Sequence, residues 1–243
     1  MIKKFVSVGI LALLVLATAS CQKLQARDNL NKGIKAFKEG RYEDAIKYFG
    51  DASELDPELT NAKLYQATAY AQQFVPGVPG EENEKYANDA ISTFESVLDK
   101  DPQNTSAIAG LAGIYQGLKN FDKSREYYRK QTEVEPDNAV PYYAIGSTDW
   151  MMMRDRDHPI AEDDKAPLIE EGLQYIDKAL EKDPDYQDAL AYKNLLLRDK
   201  AAITKDPEEA KRLLDEADVY FNKALEALKK NAEKNAVGAD AGQ

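Results

Sequence analysis

The chain has 243 residues, 31% of them charged, and a formal net charge of −11. Such an acidic balance argues against nucleic-acid partners and against docking on an anionic lipid surface by charge. With a single cysteine no disulfide can form within the chain, so its stability must come from packing. At the N-terminus, Lys3 and Lys4 precede an apolar run from Phe5 to Leu16, followed by Ala17, Thr18, Ala19, Ser20 and Cys21. A basic start, a short apolar core and small residues form a secretory signal, too short for an ordinary membrane span. Residues 1–20 are therefore excluded from the fold. Losing the two lysines takes the net charge to −13.

Small residues leading into Cys21 resemble the bacterial lipobox, with Thr18 where leucine is more usual. The resemblance implies cleavage before Cys21, lipidation of its thiol and acylation of the new amino group. Several acyl chains give stable anchoring. Gln22 follows, where an aspartate typically retains such proteins in the inner membrane of enterobacteria. The expectation is a protein anchored through Cys21 in a bacterial cell envelope, on the outer membrane facing the periplasm. Residues 21–25 are expected to be a linker.

From residue 26 a pattern recurs. Ala45, Ala90, Ser124, Gly172 and Ala217 are each followed four residues on by Phe49, Phe94, Tyr128, Ile176 and Phe221. Ala52, Val97, Gln131, Ala179 and Ala224 stand seven residues after the first member. Asp56-Pro57, Asp101-Pro102, Glu135-Pro136 and Asp183-Pro184 close four of the five copies. Small residues let helices approach, and the large residue one turn on fills the space beside them. The acid fits a turn, and the proline is expected at the start of the next helix. Pro102 and Pro136 are 34 residues apart, the period of the tetratricopeptide repeat, and the chain resembles that family over residues 26–228. The resemblance implies an all-α, right-handed α-solenoid of about five helix-turn-helix units. Lys32, Ala36, Ser124, Gln131 and Asn194 depart from the family pattern.

The first members stand 45, 34, 48 and 45 residues apart. Against a 34-residue unit this implies insertions between helices A and B of repeats two, four and five, around residues 72–85, 151–166 and 200–207. These are expected as loops along one edge, and such insertions either mark a binding face or are tolerated surface loops. Leu214, Ala217, Phe221, Ala224 and Leu228 are expected on one face of a terminal helix, followed by a flexible tail over 229–243.

Helix-A residues of this family line a concave groove. Carried onto this sequence, the candidate partner-binding residues are Asn61, Thr68 and Gln72, Ser106 and Gln116, Tyr143, Ser147 and Trp150, and Asp188 and Arg198. The lining is mixed and uncharged in its middle, suited to an extended segment or a helix. Tyr143 and Trp150 are either anchors for a partner or residues packed between helices. Ile34, Thr68 and Gly113 occupy positions where the carboxylate-binding co-chaperones of the family carry asparagine, so that mode is rejected. Asp155, Asp157, His158, Asp163 and Asp164 raise a metal site, but one histidine and no cation-loop spacing favour a solvated loop. No nucleophile–base combination, phosphate loop or dinucleotide pattern occurs. The reading is a non-enzymatic adaptor or scaffold for envelope proteins or peptide segments, with no cofactor, no metal and no nucleic acid. The alternative is a ligand- or glycan-capturing protein whose inserted loops cover the groove.

Overall fold

In a computed structural model, residues 21–240 are described, with side chains through Glu233. The signal segment, residues 1–20, and the last three residues of the expected tail lie outside the described residues. The described chain is helical, with no strand, and divides into two units. The first, ending at Leu118, holds α1 (21–38), α2 (Tyr42–Leu55), α3 (Thr60–Gln73), α4 (Glu81–Leu98) and α5 (Thr105–Gly117). The second, from Lys119, holds α6 (Phe121–Val134), α7 (Ala139–Met152), α8 (Glu162–Lys182), α9 (Gln187–Ile203) and α10 (Pro207–Asp240). From α2 to α5 and from α6 to α10 successive helices are neighbours joined by connections of three to nine residues, which makes them antiparallel pairs.

The recurring acid–proline pair builds one turn four times. The carbonyls of Asp56, Asp101, Glu135 and Asp183 accept from the amides of Leu59, Asn104, Asn138 and Tyr186 at 2.9–3.1 Å. The prolines sit in the second position of these turns, not at the start of the following helices, which begin at Thr60, Thr105, Ala139 and Gln187. Proline's fixed φ suits that turn position as well as it suits a first helical turn, and the turn prevails because the acid's own amide still caps the preceding helix. Asn104 and Asn138 then cap the next helices, accepting from Ala107 and Val140 at 3.0 Å each. After α1, Gly40 takes a φ of 73°, and Arg41 donates back to the Ala36 carbonyl at 2.9 Å, closing that helix.

Small-against-large packing is the rule expected from the repeat. A Cβ on Gly33 would lie 2.5 Å from the Phe49 ring, and one on Gly110 only 2.4 Å from Phe94. Both rings are buried, as are Ala45, Ala52, Ala90 and Val97.

The insertions form the expected loops only in part. They lengthen α4, α8 and α10 at their N-terminal ends, leaving connections at 74–80, 153–161 and 204–206. The cause is acid placement: Glu81, Glu82 and Glu84, then Glu162, Asp163 and Asp164, then Glu208 and Glu209 fill first turns, where they face the positive end of the helix. Pro207 opens α10, where no amide hydrogen is needed. The 74–80 connection is held down, since Asn83 bonds both polar groups of the Val75 backbone at 2.8 and 2.9 Å. Residues 21–25, expected as a linker, form the start of α1, and α10 runs to Asp240 through most of the expected tail. Alanine and lysine dominate there, and both favour helix.

Candidate functional site

In the first unit, α1, α2, α3 and α5 leave an open cleft of about 460 Å³ lined by Ile34, Phe37, Lys38, Phe49, Leu64, Tyr65, Thr68 and Ser106. Phe49 forms its floor and is buried; Tyr65, 5.6 Å away between ring centres, stands exposed at its side. The Thr68 hydroxyl donates to the Leu64 carbonyl at 2.8 Å, so toward the cleft it can only accept. Lys38 is the only charged side chain in the lining. The cleft is thus an apolar slot with one cation at its rim. Two of the candidate residues, Thr68 and Ser106, line it. Asn61 and Gln72 are exposed on α3, and Gln116 is half-buried on α5, but none of the three lines the cleft.

In the second unit the corresponding helices carry an aromatic cluster. Tyr143 of α7 meets Tyr186 and Tyr192 edge-on at 5.1 and 5.5 Å, and Trp150 meets Tyr192 at 5.5 Å. The Arg154 guanidinium lies over the Trp150 ring at 4.0 Å. Burial pushes the Tyr143 phenol well above its ordinary value and that of Tyr186 to about 12. Tyr143 and Trp150 therefore pack against neighbouring helices while staying half-buried. Ser147 is buried and donates to the Ala144 carbonyl at 3.1 Å, which removes it from the surface a partner could reach. Asp188 is exposed, and Arg198 is exposed but paired with Asp218 and bonded to Asn194.

The same unit holds a charge network. Fully buried Asp149 meets the Arg125 Nε at 2.7 Å, close enough for an ion pair but out of line for a hydrogen bond. Arg125 also pairs with Glu171, whose other oxygen takes Arg129 at 2.6 Å. Burial pushes the Asp149 carboxyl up to about 7, against the pull of Arg125. The Ser124 hydroxyl and the Trp150 indole nitrogen are buried without a hydrogen-bond partner. Sequence reasoning missed the network, although Ser124 and Gln131, polar at core positions of the repeat, were its signal. Gln131 is buried too, donating to Glu135 at 2.9 Å.

The connection at 153–161 is more than a solvated charged loop. Asp155 is buried and accepts from Lys119 at 3.0 Å and from the Asp157 amide at 3.2 Å, with the His158 Nδ1 at 2.9 Å. His158 and Lys119 together hold its carboxyl down to about 2. Asp157, His158, Asp163 and Asp164 remain exposed. Among the described residues no three His, Cys, Asp or Glu side chains gather as a metal site, and no helix is long and apolar enough to cross a membrane. Cys21 is an exposed free cysteine at the start of α1.

Comparison with known proteins follows this architecture. The tetratricopeptide repeat family matches residues 26–59 and 84–145, so those stretches carry tetratricopeptide repeats. A crystal structure of MamA is similar over 86% of this chain and 94% of its own, with a TM-score of 0.61 and 19% identity. MamA from Desulfovibrio magneticus RS-1 is similar over 85% and 96%, with a TM-score of 0.61 and 16% identity. At such identities the likeness shows the fold, an all-α stack of the α-solenoid class. The mitochondrial import receptor subunit TOM70 of Homo sapiens is 28% identical over 141 residues, which are 58% of this chain but 20% of that protein. Interferon-induced protein with tetratricopeptide repeats 2 of Mus musculus is 29% identical over 144 residues, 58% of this chain and 29% of that protein. The chain thus spans less than a third of these relatives.

Proposed function

We propose that this protein is a non-enzymatic protein–protein interaction adaptor or scaffold, tethered through an acylated Cys21 in a bacterial cell envelope, on the outer membrane facing the periplasm. The carrying observation is the apolar cleft of the first unit, about 460 Å³ with Lys38 as its only charge. An apolar side chain of a partner's segment or helix enters beside Tyr65, and an acid on that segment meets Lys38. The repeats give the class of role, since stacked helix pairs present long surfaces to other proteins. The exposed thiol of Cys21 supports the anchor.

Capture of a ligand or glycan is the weaker reading, because much of the inserted sequence that would roof a groove lengthens helices. A photo-crosslinking residue at Tyr65 in the native protein is expected to capture a defined envelope protein. Phe37→Glu should abolish that capture with helix content unchanged, and the same probe at exposed Lys47 should capture nothing. Equal capture from both positions, or none from either, refutes the cleft as the site. The anchor is tested separately: radiolabelled palmitate should enter the wild type and be lost in Cys21→Ser.

A further inference from the structure

The most conspicuous unpartnered surface is one side of α10. Phe221 holds the repeat position that Phe49, Phe94 and Ile176 hold in other copies, where exposure is 1%, 2% and 0%. Phe221 itself is 47% exposed. Leu214, Leu225 and Leu228 are exposed beside it, and spacings of seven, four and three put all four on one side of the helix. Ala217, Ala224 and Ala227 are buried, with Ala217 in the core that includes α9. The five residues expected on one face are therefore split: the alanines turn inward, while Leu214, Phe221 and Leu228 turn outward.

Length adds a second observation. α10 has 34 residues against 17 in α9. Lys230 pairs with Asp185, just ahead of α9, at 3.2 Å, so α10 runs on past the start of its neighbour. A helix extension without packing is marginal in water, and a partner lying along the exposed side would support it.

We propose that α10 pairs antiparallel, about a two-fold axis, with α10 of a second copy of this chain. Such an interface must be self-complementary, each contact occurring twice with the roles exchanged. One register of α10 that meets that demand also brings the two helix ends nearly level, with Leu228 falling opposite Asp218. Placing Phe221 against Leu225 of the second copy places Leu225 against Phe221, and brings Leu214 opposite the exposed, small Ala232. The same register sets Pro207 against Ala239, within one residue of the far end at Asp240, so the contact runs along roughly 50 Å. On one flank it sets Asp215 near Lys229 of the other copy, twice. Neither side chain has an ion pair among the described residues. Each overhanging end of α10 then lies along the first turns of the other helix.

Sedimentation equilibrium of the full chain in mild detergent tests the pairing, with circular dichroism to show that variants keep their helix content. A dimer is expected, and Phe221→Asp or Leu225→Lys should raise its dissociation constant about a hundredfold. Asp215→Lys and Lys229→Asp should each weaken it about fivefold, by setting like charges face to face. An equimolar mixture of those two variants should recover wild-type affinity, because every flank pair is then of opposite sign. A monomer at all concentrations overturns the proposal, as does a dimer indifferent to Phe221→Asp or a mixture no tighter than its components.

Discussion

The two units solve the same packing problem differently. In the first, α1 and α3 carry Ile34, Leu64 and Tyr65 around Phe49 and leave a cleft open. In the second, Tyr143, Trp150, Tyr186 and Tyr192 on α7 and α9 and the turn before α9 pack on one another, and a buried Arg125–Asp149 pair joined by half-buried Glu171 lies in the same unit. One repeat pattern thus yields an apolar slot where Phe37, Phe49 and Tyr65 stand among smaller aliphatic side chains and leave space between them. Where the side chains are aromatic and dense, it yields a closed surface. The open apolar slot belongs to the first unit, and the buried Arg125–Asp149 pair to the second.

The largest effect should come from Arg125→Ala. It leaves buried Asp149 without its cation, whereas Glu171 keeps Arg129, at a cost of about 3–5 kcal/mol. Amide hydrogen exchange should accelerate in α7 and α8 while α1–α5 keep their protection. Next comes pH. The folded Asp149 carboxyl titrates near 7, against an unfolded value of 3.8. The folded state keeps a proton there that the unfolded chain has released, so through this group stability falls as pH rises from about 4 to about 7. The full change is up to about 4 kcal/mol, and it levels off above that range. Denaturant titrations across that window should show the decline, and Asp149→Asn should flatten it. Asp155, held down to about 2, works in the opposite sense and only below about pH 4.

Gly110→Ala in the first unit should cost about 1–3 kcal/mol, because the new methyl meets the buried Phe94 ring. Tyr143→Ala should cost about 2 kcal/mol by thermal melting, and would open in the second unit the kind of slot the first one has. Tyr65→Ala should change stability by less than about 1 kcal/mol, since that ring is exposed, yet weaken partner capture. An equal loss of stability at Tyr65 and Tyr143 would erase the distinction between an open and a self-packed unit.

Much of the fold was legible because helical periodicity is a local property. Ala45, Phe49 and Ala52 announce a buried helix face wherever they stand, and the Asp–Pro pairs announce the chain reversals. What failed in part was the assignment of inserted residues to loops. Spacing counts residues, whereas the first-turn acids Glu81, Glu162 and Glu208 decide whether they coil or wind. The cleft was half legible, with Ile34, Leu64, Thr68 and Ser106 placed at groove positions and its aromatic wall, Phe37 and Tyr65, not. Ser147 was misplaced because a spacing of four along α7 identifies a face without revealing what covers it.

By itself, then, the sequence determined the repeat, its helices, its turns and its small-to-large packing code, since each depends on neighbours within a turn or two. Only the tertiary structure decided which of two similar grooves stays open and which carboxylate loses its water. It also decided that Phe221 lies uncovered where Phe49 lies buried. Exposure depends on which helices arrive alongside, and a residue carries no local record of that.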